Sequence, residues 1–173
     1  KALHNLYLAP APQPRKPLRP APNELAPNPV RTVFYGATGA GGNGILRVAR
    51  MFAASTNYVV RFVEGKDIRE GALKNADLYI APGGGSDTQS SNLGPQGRTN
   101  LVNWIRNGGL YHGTCAGAYL ASCNNPDAKK KLRLQLMPTY TQKCPYRGGN
   151  ALVKLRYTPA GEKALGRKGV DEM

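Results

Sequence analysis

The chain is poor in acidic residues and in the residue types that build disulfide or zinc frameworks. Its 173 residues contain 10 Asp and Glu against 24 Lys and Arg, which gives a formal net charge of +14. It has 3 cysteines and 2 histidines, and Cys115, Cys123 and Cys144 form no CxxC pattern. Three cysteines exclude a disulfide-rich scaffold, and their spacing predicts no structural metal. Cys123 and Cys144 could pair in an exported protein or stay reduced in the cytoplasm, and both alternatives stay open.

Long hydrophobic runs are also missing. No stretch approaches the roughly 18 apolar residues of a membrane-spanning helix, and the most apolar one, 58–63, contains Arg61. We therefore expect a soluble protein without a membrane span. The chain begins with Lys1 rather than Met, which indicates preceding sequence such as an export signal, a tag or more protein. The residues do not decide among these origins, so export to the periplasm or the medium and a cytoplasmic location both stay open.

Proline is abundant but unevenly placed. Eight of the 14 prolines lie within residues 1–30, where they remove backbone donors and prevent a regular helix. This composition predicts an extended tail over 1–30 and a single folded domain over 31–173. A domain of about 140 residues can bury roughly two thirds of its unfolded surface. The polar end at Met173 is unusual for such a domain.

From residue 31 onward, short β-branched and aromatic runs alternate with helical periodicity. Strands are predicted at 32–35, 58–63, 77–81 and 110–112, and helices at 45–55, 98–107 and 116–122. A short helical or turn segment is predicted at 68–75. The polar stretch 86–97 is interpreted as a loop, and 132–137 and 151–157 as two further strands that are antiparallel or at an edge. Parallel neighbours need crossover connections. The pattern therefore predicts a doubly wound α/β fold, a mostly parallel sheet with helices on both faces.

The segment Gly109–Ser122, GLYHGTCAGAYLAS, carries the most chemical information. A strand that turns directly into a helix, with small residues around the turn, forces the residue at the bend into a strained conformation and exposes its side chain. That residue is Cys115, which we interpret as a candidate nucleophile. The adjacent Ala116 N–H is a candidate oxyanion donor.

A second loop, PGGGSD, follows the preceding strand. Its glycines, Gly83, Gly84 and Gly85, can present backbone N–H groups without a Cβ in the way. We expect Gly84 to be the second oxyanion donor. Both loops fall at strand carboxyl ends, where open α/β sheets bind ligands.

Together these motifs resemble the class I glutamine amidotransferase superfamily. APGGGSD, a helix ending in NGG and then GLYHGTCAGAYLAS are similar to the branch found as the amino-terminal domain of biotin-protein ligases. The resemblance extends over 32–166 and includes RGGN at 147–150. It implies a flavodoxin-like fold, with Cys115 as the nucleophile and Gly84 and Ala116 as oxyanion donors. Members of this class complete a triad with a downstream His and Glu, whereas this chain has only His4 and His112. Either further sequence follows Met173 and supplies a catalytic base, or the domain uses its site for something other than ammonia production, and both alternatives stay open.

The other candidate site residues have structural alternatives. His112 is expected on a central strand covered on both faces, where a hydrogen-bonded core histidine is favoured over an acid or base. Glu64 and Asp87 follow strands near the same edge, where a helix cap or a solvated acid is favoured over a catalytic partner. Glu64 is the better candidate of the two for approaching the thiol. Gly36 and Gly39 belong to a loop, 36–44, that is expected to line the same crevice.

Three classes of function follow from these observations. The favoured one is thiol-dependent amide hydrolysis or acyl transfer without a cofactor, and its alternative is a catalytically silent domain that binds a small ligand or a partner, including a second copy. GATGAGG, with Gly36, Gly39 and Gly42, favours NAD(P) binding, but no Tyr-x-x-x-Lys accompanies it.

Residues 126–173 carry 11 Lys and Arg against 4 Asp and Glu. No nucleic-acid reader motif or interleaved aromatic residues occur there, so we expect a solvated basic face or attraction to an anionic ligand.

Overall fold

The computed structural model of the protein describes residues 25–140, 154–166 and 170–172. The chain divides between residues 141 and 142 into two compact units. Most of the predicted tail, residues 1–24, lies outside the described residues, as do Cys144 and the RGGN motif. None of the described helices is both long and apolar enough to cross a membrane.

The larger unit is built on a four-stranded parallel sheet. Its strands are β1 (Val30–Tyr35), β2 (Tyr58–Val63), β3 (Leu78–Ala81) and β4 (Leu110–Gly113). Their order across the sheet is β2-β1-β3-β4, and every pair is parallel. This is the strand order of flavodoxin-like folds, in which chain direction across the sheet reverses between the first and third strands. The predicted fold class is confirmed.

Helices cover both faces of this sheet because successive side chains on a strand point to opposite sides. On one face, α1 (Gly42–Ala53) packs Ile45, Val48 and Phe52 against Phe34 and Ile80. On the other, the strand residues Val33, Tyr35 and Tyr79 form a larger core. The helices there are α2 (Gly65–Arg69), α3 (Ser86–Arg106) and α4 (Ala116–Ala121).

The prediction of a loop over 86–97 is wrong, because this stretch is the first half of α3. The helix kinks at Gly94, where φ is 68°, and restarts at Pro95, which is tolerated at the first position of a helix. Gln89, Leu93 and Gly97 are buried at a spacing of four residues. In the half before the kink, the polar residues Gln89 and Ser90 are buried together with Leu93. Polar residues therefore occupy most of a buried helical face that is usually recognised by large apolar residues.

The prediction of a strand over 132–137 is also wrong. Leu134 N–H donates to Leu120 O at 2.8 Å and Leu136 N–H donates to Ala121 O at 2.9 Å. The segment therefore supplies donors to the last carbonyls of α4, which have no partner inside the helix. Gln135 between them has a φ of 56°, which is incompatible with a regular strand.

The expectation of a buried His112 on a central strand is likewise corrected. Within the described sheet, β4 is an outer strand with one neighbour, β3, and His112 is exposed. An outer strand leaves one of its edges open. His112 pairs in register with Ile80, which α1 buries, but the cluster that α1 forms with the sheet contains no residue of β4. The histidine therefore lies beyond the cover of that helix and is accessible instead of being part of the core.

The smaller unit contains β5 (Lys154–Arg156), α5 (Pro159–Leu165) and β6 (Val170–Glu172). The two strands pair antiparallel. Thr158 is the N-cap of α5, and its side chain accepts a hydrogen bond from Gly161 N–H at 3.1 Å. β5 confirms the predicted strand over its described residues, while 151–153 lie outside them.

One exposed ion pair joins the start of β1 to the segment before β3. Arg31 donates to Asp77 from its side chain at 2.6 and 2.9 Å and from its backbone N–H at 2.8 Å. These hydrogen bonds lower the pKa of Asp77 from 3.8 to about 2. A carboxyl group with a depressed folded-state pKa stabilises the fold above its unfolded pKa and loses that contribution as the pH falls through the folded value.

We therefore expect Asp77→Asn to lower Tm at pH 7 by on the order of 1–2 °C, since solvent screens exposed pairs. This difference from the unmodified protein should shrink as the pH falls from about 4 toward 2, the interval set by the Asp77 pKa. Thermal unfolding followed by circular dichroism measures it. Asp127→Asn, which removes an exposed turn carboxylate, should have no effect, and a difference for Asp77→Asn that stays constant down to pH 2 would contradict the explanation.

Candidate functional site

Two glycine-containing loops meet at the carboxyl ends of β1 and β3, where the strand order reverses. Ala40 and Gly84 form an isolated antiparallel bridge. Gly41 N–H donates to Gly83 O at 2.7 Å, and Gly85 N–H donates to Gly39 O at 2.8 Å. The structure thus brings together the loops at 36–41 and 82–85, at the position where open α/β sheets bind ligands.

Glycine is required at position 84. Its φ is +128°, and a Cβ there would collide with Gly39 O and lie 2.6 Å from Gly41 N. Residues other than glycine rarely adopt such a φ. The PGGGSD motif therefore encodes a close approach of two backbones.

The side chain of Gln89, in the first half of α3, links the same two loops. This side chain is fully buried, and Nε2 lies 3.1 Å from Gly39 O and 3.0 Å from Pro82 O. Its Oε1 is buried without a partner among the described residues. Sequence reasoning missed Gln89 by assigning it to a loop. Its spacing of four residues from Leu93 was the signal that could have placed it on the buried face of a helix.

Cys115 lies at the sharp bend between β4 and α4. It is the N-cap of α4 with φ 50° and ψ −111°, a conformation that non-glycine residues adopt only when the surrounding structure enforces it. Thr114 N–H enforces the bend by donating to Ala81 O at 3.1 Å. The cysteine itself is exposed and its thiol is free.

The bend depends on the close packing of Gly117 against β3. A Cβ at Gly117 would collide with the carbonyl and Cβ of Ala81. The Tyr111 hydroxyl donates to Gly117 O at 2.7 Å. Burial raises the pKa of Tyr111, so this hydroxyl remains a neutral donor at physiological pH.

The thiol lies beside the glycine loop that follows β3. A Cβ at Gly83 would be 3.3 Å from the Cβ of Cys115 and 3.7 Å from its Sγ. Within the described residues, the N–H groups of Gly84 and Ala116 have no hydrogen-bond acceptor. The site therefore combines an exposed sulfur, a neighbouring position that lacks a side chain, and two unpaired amides in the adjoining segments.

The candidate acids take part in structural contacts. Asp87, in the first turn of α3, pairs with Arg133 at 2.6 Å, a partner that sequence reasoning did not identify. Glu64 is the N-cap of α2, and its N–H donates to Asp67 Oδ2 at 2.8 Å. Glu64 also lies near Tyr35, whose pKa rises to about 12 through burial first and the Glu64 charge second. Neither carboxylate hydrogen-bonds Cys115 in the described structure.

The remaining predicted positions lie around this centre. Gly36 N–H donates to Val63 O at 3.0 Å, so Gly36 is on the β2 side of the crevice, away from β4. His112 lines a mainly apolar cavity of about 420 Å³ between β4 and the segment at Met137, and it forms no described hydrogen bond to Cys115. No cluster of His, Cys, Asp or Glu suited to a metal occurs among the described residues.

Comparison with known proteins agrees with this architecture. No curated protein matches the chain. The sequence model of the family described as "Biotin-protein ligase, N terminal" matches residues 33–139. That match covers more than half of the 173 residues and includes both glycine loops and the bend at Cys115. On this evidence the chain belongs to the biotin-protein ligase N-terminal family.

Proposed function

We propose that this domain performs thiol-dependent acyl transfer, with Cys115 as the nucleophile. The observation that carries the proposal is the bend at Cys115, where a strained backbone holds an exposed thiol within 3.7 Å of the Cβ position of Gly83. Strain of this kind persists where surrounding contacts support it, and it is concentrated at functional sites. The ligand would be a small molecule with an ester-like or amide carbonyl.

The chemistry has two steps. The Cys115 thiolate attacks the carbonyl carbon, a C–S bond forms, and the bond to the leaving group breaks as that group departs with its electron pair. Water or an acceptor amine then attacks the thioester and regenerates the thiol. Gly84 N–H and Ala116 N–H are the amides we assign to the oxyanion of each tetrahedral intermediate.

The available side chains favour substrates with good leaving groups. An amine leaves only after it is protonated, and a positioned acid accelerates such a transfer by about 10²–10⁴. The two histidines precede Cys115 in sequence, and His112 does not hydrogen-bond it in the described structure. The leaving groups of activated esters and of thioesters depart without first taking up a proton. Such substrates therefore fit the site better than glutamine does.

A catalytically silent domain is the second candidate, and the missing contact between Cys115 and an acid or base favours it. In that case the crevice binds a small ligand or a partner without covalent chemistry. NAD(P) binding is less favoured, because Gly41 N–H already donates to Gly83 O and so is not free to contact a pyrophosphate.

Acylation by p-nitrophenyl acetate distinguishes the first two candidates. We expect a burst of p-nitrophenolate and one added acetyl group on Cys115, because the leaving group needs no proton. Cys115→Ala should lose both signals. Intact-mass and peptide mass spectrometry locate the acetyl group, and Cys123→Ala is the matched control that should retain the burst. Acetylation spread equally over other residues, or an unchanged burst in Cys115→Ala, would support the silent domain.

A further inference from the structure

A second candidate binding site lies along the C-terminal half of α3. It is an open groove of about 820 Å³ between α3 and the segment at 131–138. It is lined by four cationic side chains and by no Asp or Glu, the cations being Arg98, Arg106, Lys131 and Arg133. Cys115 and the two glycine loops are not part of its lining, so the groove is separate from the proposed acyl-transfer site.

Hydrogen bonds hold three of these cations in place. Arg133 Nη1 contacts Asp87 Oδ1 at 2.6 Å and Ser86 Oγ at 3.0 Å. Arg98 Nη1 donates to Ser90 O at 2.9 Å, and Lys131 Nζ donates to Pro126 O at 3.2 Å. A guanidinium has five N–H donors, so each anchored arginine keeps further donors for a ligand. Asp87 neutralises one of the four charges, which leaves the groove with a net positive charge.

The fourth cation, Arg106, is exposed in the last turn of α3 and has no acceptor among the described residues. Arg98, Val102 and Arg106 follow one another at intervals of four residues, so they form one stripe along the helix. An apolar side chain thus lies between two guanidinium groups. Leu136 and Met137 add further apolar surface from the opposite wall.

We propose that this groove binds a small organic phosphate, with the phosphate on the cations and the organic group against the apolar residues. Arginine pairs with phosphate through two parallel hydrogen bonds, which makes it suited to this anion. The volume of the groove is that of a small-molecule pocket. Its lining contains no aromatic residue on which a nucleic-acid base could stack.

Titration with phenyl phosphate and with inorganic phosphate tests the proposal by calorimetry or by protein NMR. We expect saturable binding of phenyl phosphate at roughly five-fold or greater affinity over inorganic phosphate, because only the former contacts the apolar wall. Arg106→Gln should weaken phenyl phosphate binding roughly five- to ten-fold, since it removes a charged donor without breaking a structural contact. Cys115→Ala should bind as the unmodified protein does.

Arg50→Gln is the matched control, because Arg50 is an exposed arginine in the last turn of α1 and lies outside the groove. This variant removes the same charge as Arg106→Gln. It should change the affinity for phenyl phosphate less than two-fold, because salt screens the interaction between distant exposed charges. Equal loss in Arg50→Gln and Arg106→Gln, or no saturable binding of phenyl phosphate, would overturn the proposal. Equal affinity for the two phosphates, or binding of duplex DNA that phenyl phosphate does not displace, would overturn it as well.

Discussion

Gly117→Ala is expected to lower the free energy of unfolding of the larger unit, which contains the four-stranded sheet, by about 2–4 kcal/mol. The added Cβ would collide with the carbonyl of Ala81 at the end of β3. That carbonyl also accepts the Thr114 N–H hydrogen bond, so the clash cannot be relieved without separating α4 from β3. Urea unfolding followed by the fluorescence of Trp104, the only tryptophan, measures the change within this unit.

Gly42→Ala is the matched control for this substitution. Gly42 begins α1, and a Cβ there would have no atom within 4 Å. Alanine is a better helix former than glycine, so this variant should be as stable as the unmodified protein or slightly more stable. A Gly117→Ala variant that unfolds at the same urea concentration as Gly42→Ala would show that the close packing of α4 on β3 is not required.

Gly84→Ala should slow acetylation of Cys115 by p-nitrophenyl acetate by roughly 10²-fold, the usual effect of losing one oxyanion donor. Its φ of +128° and the collision with Gly39 O would force the loop to move, and the Gly84 N–H would move with it. Alkylation by iodoacetamide, which forms no oxyanion, should change far less. The ratio of the two rates therefore separates loss of the oxyanion donor from a general loss of thiol reactivity.

Gly85→Ala provides the control within the same loop. Its φ is −108°, and the new Cβ would lie 3.2 Å from the Thr88 Oγ1 atom, a side chain that can rotate. We expect its acetylation rate to stay within a few-fold of the unmodified protein. If Gly84→Ala acetylates as fast as Gly85→Ala, the Gly84 amide does not contact the oxyanion.

The sequence predicted those parts of the fold whose signals are local. The strands β1, β2 and β3 carry β-branched and aromatic residues in short runs. The glycine pattern around Cys115 indicates a tight turn, because only small residues permit such an approach of backbones. The strand order then places the loops at 36–41 and 82–85 at one edge. The convergence of Gly39, Gly84 and Cys115 follows from topology that the alternation of elements already indicates.

The features that sequence reasoning missed depend on contacts that are distant in the chain. Gln89 looks like a loop residue until its amide is seen bonded to carbonyls of two loops, one of them 50 residues away. The segment around Leu134 has strand composition, yet its N–H groups are used by the end of α4. His112 lies on a strand next to the buried β3, but its exposure is decided by how far the helix on that face extends across the sheet. Which distant segments pack against or hydrogen-bond a residue cannot be read from the periodicity of its own segment.

The central claim is that the sulfur of Cys115 is accessible and reactive at the bend between β4 and α4. Site-resolved alkylation by iodoacetamide at neutral pH, read by peptide mass spectrometry, tests it most directly. Cys123 is the internal reference, because it is only partly exposed and its thiol donates to Met137 O at 3.1 Å. We predict that Cys115 reacts roughly ten-fold faster than Cys123 or more. A Cys115 rate equal to or below that of Cys123 would contradict the account.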